Sequence, residues 1–320
     1  MTHKFSIRTV TLLMAMLLVV AVFSPPVFAQ DGPSKDDLAI VDRAIAAMQA
    51  TNEYASFKLS IQQREETNAS VVVPEVMEQD SHELKQLDGN FTIIKGDSPN
   101  AAGTITASYN ATEGEETLSA YSIEAEVRYV DDMLYTNAQY VESDASAAPL
   151  PEGWVLVDDP ANFPELESLG LADLLSGIQE DNSDIVKEFA QMRPYVTSVT
   201  VKEDEINGVA VEVIFISLGW DGMLQLMNEE EFDPEDPMTQ VLADALTGED
   251  DLVTIIIGLD ADDTVHGFAF SVDMSIVDLD LRKMDESLPE GATMSLSVSM
   301  SETREYSEVN AEFEPATAPE

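Results

Sequence analysis

Between residues 252 and 313 the chain reads as a meander of long antiparallel strands with one apolar face, and this pattern most constrains what it can fold into. Phe268, Phe270, Val272, Met274 and Ile276 take alternate positions, with Ala269, Ser271, Asp273 and Ser275 between them. Met294, Leu296, Val298 and Met300 alternate in the same way with Ser295, Ser297, Ser299 and Ser301. Residues two apart share one face of a strand, so each segment predicts a half-buried strand. Side by side, the two strands offer a wall of Phe, Met, Leu and Val that needs a cover. Phe268, Phe270, Val272, Met274, Leu296, Val298 and Met300 are therefore the candidate ligand-binding residues. The functional question is whether helices of the same chain fill the space against this wall or leave room for an apolar guest.

The rest of the chain changes period several times. Ser34 and Asp37 form a capping box before Leu38, Val41, Ile45 and Met48, whose spacing predicts an amphipathic helix ending near residue 50. Phe57, Leu59 and Ile61 then open a strand. An acidic, irregular stretch is expected over 76–88, followed by short strands at 91–94 and 105–109. A longer strand carries Tyr121, Ile123, Ala125, Val127 and Tyr129 on one face, and Asp131-Asp132 turns it back into 133–140. After a short strand at 154–157, Leu171, Leu174, Leu175 and Ile178 suit one helix. Ile185, Val186 and Phe189 suit a second that stops before Pro194. Asn207-Gly208 marks a hairpin whose return strand carries Val209, Val211, Val213 and Phe215. Two more helical patches follow at 223–227 and 238–246, the latter with Asp236 as cap, Pro237 in its first turn and Gly248 as stop. The apolar phase flips after Ile276 and again between Met300 and Val309, which predicts a bulge or bend at each place.

These alternations predict an α+β domain: a curled antiparallel half-barrel sheet with helices covering its concave face. With no repeat and no linker, residues 30–314 form a single domain and 315–320 a frayed tail. Residues 1–29 read as a signal peptide, with Lys4 and Arg8 before an apolar run and Val27-Phe28-Ala29 before the cleavage point. The run is shorter than the roughly 20 residues that a spanning helix needs, so no stable membrane insertion is expected after cleavage. The chain is expected to be secreted or periplasmic and monomeric. It has no cysteine, which removes disulfides, thiolate metal sites and the acylated cysteine of a lipid anchor.

Against 62 acidic residues stand only 15 Lys and Arg, a net charge of −47, so nucleic acid and anionic membranes are poor partners. A hydrophobic fraction of 44% still allows a core, which separates this acidity from disorder. Catalysis finds little to work with: outside the signal segment the only histidines are His82 and His266, and no motif sets a nucleophile beside either. Carboxylate pairs such as Asp262-Asp263 are expected by chance in so acidic a chain. The loop Asp260-Ala261-Asp262-Asp263 lacks the glycine and distal glutamate of an EF-hand and reads as a hairpin turn; Asp131-Asp132 and Glu229-Glu230-Glu231 are no stronger, so no metal or cofactor is assigned. Asn68, Asn90 and Asn110 each open a glycosylation sequon, relevant only in a glycosylating host.

The element order, with the local phrases Ile206-Asn207-Gly208-Val209, Ile255-Ile256-Ile257-Gly258-Leu259-Asp260 with His266-Gly267-Phe268, and Tyr306-Ser307-Glu308-Val309-Asn310 before Pro315, resembles the lipoprotein-carrier superfamily of LolA and the LppX-type lipoproteins. The resemblance spans nearly the whole chain after residue 29. It implies a half-open barrel whose concave side holds acyl chains, and hence a non-catalytic exported protein that binds or carries lipid or another hydrophobic ligand. The chain departs from the LppX-type pattern in lacking the acylated cysteine, and no residue here matches a functional position of the family. The alternative is an acidic extracellular interaction or scaffold domain with a filled core, weakly calcium-binding at most. The methionines on the wall suit an adaptable cavity, because thioethers repack around varied apolar shapes.

The charge balance generates a first prediction. Self-repulsion within the folded state is screened by mobile ions over about 8 Å at physiological ionic strength, so the melting temperature is expected to rise from low salt to molar sodium chloride. A flat or falling curve contradicts this. Millimolar calcium acting far beyond its ionic strength would restore a specific cation site.

Overall fold

The computed structural model describes residues 33–96, 98–131, 133–144, 149–157, 183–219, 252–283 and 287–319. Helix α1, Lys35–Ala50, begins at the capping box: Asp37 N donates to Ser34 Oγ at 3.1 Å, and Ser34 N to Asp37 Oδ2 at 2.9 Å. Val41, Ile45 and Met48 are buried as its spacing predicts, with Ala44 and Ala47 beside them, while Leu38 is only half-buried. A 3-10 turn, Thr51–Glu53, leads into strand β1, Ser56–Val73. Four strands follow in meander: β2 Met77–Ile94, β3 Asn100–Glu113, β4 Glu116–Val130 and β5 Met133–Ser143. Short β6, Val155–Leu156, pairs with β5. Helix α2, Ser183–Met192, precedes a second meander of β7 Val196–Ile206, β8 Val209–Leu218, β9 Val253–Leu259, β10 Val265–Asp280 and β11 Thr293–Ser307.

All eleven strands form one antiparallel sheet in the order β6-β5-β4-β3-β2-β1-β11-β10-β9-β8-β7. Among the described residues edge strands β6 and β7 are not paired with each other, so the described sheet is open, as the curled half-barrel requires. The inner face carries the core. Ile214 and Ile216 of β8, Ile255 and Ile257 of β9, Phe268 of β10, Ile61 of β1 and Ile123 of β4 belong to one buried cluster with α1, Phe189 and Met192. Helix α1 packs on β7, β8 and β9 and against α2. Arg43 of α1 bonds Glu212 at 2.5 Å and Asp263 at 2.7 Å, and Arg193 clasps Asp42 through both carboxylate oxygens. The other expected covering helices, around Leu171 to Ile178, 223–227 and 238–246, lie outside the described residues, as does the signal segment.

Several local expectations meet a definite outcome. Asn207 and Gly208 have φ of 51° and 81°, the left-handed pair that a two-residue hairpin needs. The phase flip after Ile276 is a register shift between Ile276 and Leu279, with Asp278 at φ 52°. The flip expected after Met300 is not a bulge. Strand β11 keeps its phase through Glu302 and Arg304 to buried Tyr306, and Val309 lies beyond the strand's end. The acidic stretch 76–88 is not irregular but the first two thirds of β2, and β3 is likewise longer than its apolar part. In β2 the charged Glu83 and Lys85 occupy inward positions, and in β3 the small Ala101, Gly103 and Ala111 do so; both hide the strand from an apolar count. Gly103 faces Phe91, whose ring lies where a Gly103 Cβ would stand, 2.4 Å from Phe91 Cδ1 and 2.3 Å from the Asn90 carbonyl. Only glycine admits that ring.

The C-terminal residues run across the sheet's end. Ala316 bonds the Asn100 side chain through both N and O at 2.9 Å, and Thr317 O accepts from Arg128, whose guanidinium stacks 4.5 Å from the Trp154 ring centre. Side-chain amide and guanidinium contacts thus hold a segment that composition alone describes as a frayed tail.

Tyr54 ties α1's exit to the β9–β10 turn: its hydroxyl accepts from Val265 N at 3.0 Å and lies 3.3 Å from Val265 O. Burial pushes this hydroxyl up from 10.0 to about 12, against a smaller opposing effect of the Val265 backbone. A raised folded-state value means that the contribution is complete below pH 10 and is lost as pH rises through about 12. Tyr54→Phe is expected to cost about 1–2 kcal/mol at neutral pH. It should also flatten the fall in stability over that alkaline window. Denaturant unfolding at neutral and alkaline pH checks both, and parallel pH curves for the two proteins would contradict the assignment.

Candidate ligand-binding face

Residues directly opposite in an antiparallel ladder share a face, so the registers lay the inner surface out in rows. One row runs Val272, Met300, Glu65, Lys85, Tyr109, Tyr121 across β10, β11, β1, β2, β3 and β4. The next toward the β1–β2 hairpin runs Met274, Val298, Thr67, Glu83, Ala111. Beyond it Ile276 faces Leu296, and Leu296 faces Ala69. Toward the chain ends Phe270 is followed by Glu302, Gln63 and Leu87, and Phe268 by Arg304, Ile61 and Gly89.

The seven wall residues therefore share one face, with Val272 against Met300 and Met274 against Val298. Their burial differs. Phe268 and Val272 join the main core; Leu296 and Val298 form a separate small cluster with Ala69, against which Met274 packs. Phe270 and Met274 are only half-buried, and Met300 is 39% exposed. On neighbouring β9, by contrast, Ile255 and Ile257 are sealed. The half-open residues Phe270, Met274 and Met300 lie mid-wall, between buried Phe268 on one side and buried Ile276, Leu296 and Ala69 toward the β1–β2 hairpin.

Beside the open part lies a polar strip that the alternation did not disclose. Arg304 Nε donates to Glu302 Oε1, and Gln63 Nε2 donates to Glu302 Oε2 at 2.6 Å. Burial opposes the charge on Arg304, but the Glu302 carboxylate outweighs it and holds the guanidinium pKa above its ordinary value. Lys85 Nζ sits 3.3 Å from Glu65 Oε2 and 3.2 Å from Glu83 Oε1. Burial again works against the ammonium, and the two carboxylates together more than offset it, raising the Lys85 pKa. Tyr109, opposite Lys85, stacks on Tyr121 with ring centres 5.4 Å apart, and Tyr121 meets Tyr140 edge-on at 6.3 Å. Inward glutamates and a lysine break the apolar period, so in sequence they look like loop. A Gln-x-Glu on one strand matched by Glu-x-Lys on the next was the available signal, legible only once the strands are paired.

His266 holds a turn, and His82 stands within β2, paired on both sides. His266 Nε2 lies 2.9 Å from Asp260 Oδ2, while Asp260 Oδ1 accepts from the amides of Asp262 and Thr264. Burial pushes the Asp260 carboxyl up, but the His266 ring and those amides prevail and hold it below the usual carboxylate range. The loop is a hairpin clasped by its first aspartate. His82 reaches Glu66 at 3.4 Å. Among the described residues no group of three or more His, Asp or Glu is arranged to hold a metal ion; Glu229-Glu230-Glu231 fall outside them. No described helix is long and apolar enough to cross a membrane. An open cavity of about 450 Å³, lined among others by Asn68, Asp80, His82, Ser275 and Ser297, involves mainly side chains of the opposite face.

No protein-family model matches the chain, and no curated protein matches it. Among solved structures it is similar to LprF from Mycobacterium bovis, at 11% identity over 89% of this chain and 98% of that one, with a TM-score of 0.37. It is also similar to a putative outer membrane lipoprotein-sorting protein domain from Vibrio parahaemolyticus, at 9% identity over 81% and 89% of the two chains, with a TM-score of 0.12. Likenesses at these TM-scores carry no argument, and the reading of function rests on the chain's own geometry.

Arg304 and Glu302 provide a test of the strip. Their side chains are 14% and 22% exposed, so removing one partner leaves a largely desolvated charge. Arg304→Met is expected to cost about 2–4 kcal/mol, and adding Glu302→Leu should recover part of it, because a buried pair replaced whole is tolerated better than one broken. Urea unfolding of the two variants checks this; a double variant less stable than the single would contradict it.

Proposed function

We propose that this protein is a non-catalytic exported binding protein that takes up a hydrophobic ligand, a lipid or acyl chain, on the inner face of β10 and β11. One observation carries the proposal. The wall is continuous and in register, yet Phe270, Met274 and Met300 are left partly open, whereas Ile255 and Ile257 beside them are sealed. Ordinary cores are packed to crystal-like density and leave few such gaps. A face that receives a guest has to keep its contacts available, and flexible thioethers at Met274 and Met300 suit guests of varied shape. The helices expected around 171–178, 223–227 and 238–246 would serve as its cover, and export through residues 1–29 would deliver a monomer to its lipid source.

The second reading, an acidic interaction or scaffold domain, draws on the filled core under α1, where Val41, Ile214 and Ile257 are fully enclosed. The two make different demands on the open wall. Phe270→Ala is expected to cost clearly less than the ~3–5 kcal/mol typical of a sealed phenylalanine, while lowering lipid uptake. Ile257→Ala should cost about 2–5 kcal/mol and leave the uptake of the folded protein unchanged. Solvent extraction and mass spectrometry of protein purified from its own host measure uptake. A core-sized loss at Phe270, with no co-purifying lipid in the unaltered protein, would mean that the face is simply core.

A further inference from the structure

We infer that the strip Glu65–Lys85–Glu83, with Gln63, Glu302 and Arg304 beside it, selects the head of the bound amphiphile. It accepts a hydrogen-bond-donating head without negative charge, an ammonium or a polyol, and refuses an anionic one. The inference rests on the hydrophobic-ligand reading and adds the chemistry of the ligand's polar end.

Placement is the first ground. Met300, the most exposed residue of the wall, is directly opposite Glu65 across the β11–β1 ladder, and Glu65 is directly opposite Lys85 across β1–β2. Val298 leads in the same way through Thr67 to Glu83. Facing side chains of adjacent strands stand about 4.5–5.5 Å apart at Cβ. The apolar wall therefore passes into the charged strip without an intervening strand. An amphiphile with its chain on Val272, Met274, Val298 and Met300 sets its head on Glu65, Lys85 and Glu83.

The strip's internal bonding is the second ground. Lys85 is bound by two carboxylates, and Arg304 is already engaged by Glu302. Neither cation is free to receive a phosphate or carboxylate, which would have to displace a glutamate. Three carboxylates against two cations leave one negative charge in excess, on a side of the molecule already inside a −47 field. Carboxylate oxygens accept several hydrogen bonds each, so a donor-bearing head finds acceptors in place. Tyr109, half-buried beside Lys85, adds an aromatic face suited to an ammonium or to the CH face of a polyol.

The test uses the full exported chain and three probes of one chain length: dodecyltrimethylammonium, dodecyl maltoside and dodecanoate. Each is titrated below its micelle concentration at physiological ionic strength. Either or both of the first two are expected to bind about tenfold or more tightly than dodecanoate; which one does so assigns a cationic or a hydroxylated head. Glu65→Gln/Glu83→Gln leaves Lys85 without its carboxylates and barely alters the overall charge. It should bring dodecanoate level with or above the other probes. Glu83→Gln alone, which keeps Glu65 on Lys85, should move the same way by less and serves if the double variant does not fold. Equal binding of all three heads by the unaltered protein, or an unchanged order in the folded variants, overturns the head-selection inference and leaves hydrophobic binding standing. Binding of none of the probes overturns both.

Discussion

The antiparallel ladder between β1 and β11 is the interaction on which the rest of the structure depends. Every other pairing in the sheet joins strands that are neighbours in sequence, β1 to β6 on one side and β7 to β11 on the other. The β1–β11 ladder joins these two meanders, running from Lys58 opposite Ser307 to Val72 opposite Thr293. At its end Asn310 N bonds Ser56 O at 2.7 Å, Ala55 N bonds Asn310 Oδ1 at 2.8 Å, and Lys58 meets Glu308 at 2.6 Å. Phe57 and Tyr54 pack their rings on Tyr306 in the same place. A contact between the two ends of a long chain carries a large loop-closure cost, and so needs this density of bonds and rings.

Because that ladder is in one register, the inner faces of the two meanders become a single surface. Slipping it by one residue would turn Leu59 and Ile61 outward and bring Lys58 and Ser60 inward. The same register brings Gln63 to Glu302 and Met300 to Glu65, so the polar strip and the apolar wall meet at the seam itself. Helix α1 closes the face over β7 to β9, and its ion pairs through Arg43 are exposed enough to add little. Burial of its stripe holds it there.

The seam also accounts for the unequal burial of the wall. Toward α1, large aliphatic side chains from both meanders interlock and exclude solvent. Mid-wall, Met300 faces the charged Glu65 on β1, and Met274 lies beyond the last β9 pairing, Val272 with Val253, so each lacks an apolar neighbour on one flank. Burying ion pairs beside an apolar surface is costly unless each charge is bonded, which the pairing of Lys85 and Arg304 achieves. A sheet under selection for stability alone would carry aliphatic residues at those positions.

What the sequence by itself determined is whatever depends on residues close along the chain. Alternation marked β8, β10 and the first half of β11; Asn207-Gly208 marked the hairpin, the phase change after Ile276 the bulge, and Ser34 with Asp37 the start of α1. These are local because strand period, turn dihedrals and caps are set within a few residues. The extent of β2 and β3, the unbroken course of β11 past Met300 and the strap formed by Ala316 and Thr317 were decided only by tertiary structure. There the inward or bonded groups are polar or small, and a glutamate, lysine or arginine facing inward is tolerable only with a bonded partner. Gln63, Lys85 and Glu302 are far apart in the chain and meet because β1 lies between β2 and β11. The wall was therefore legible as a face, and its charged border was not, since periodicity records which way a side chain points and carries no record of what stands opposite.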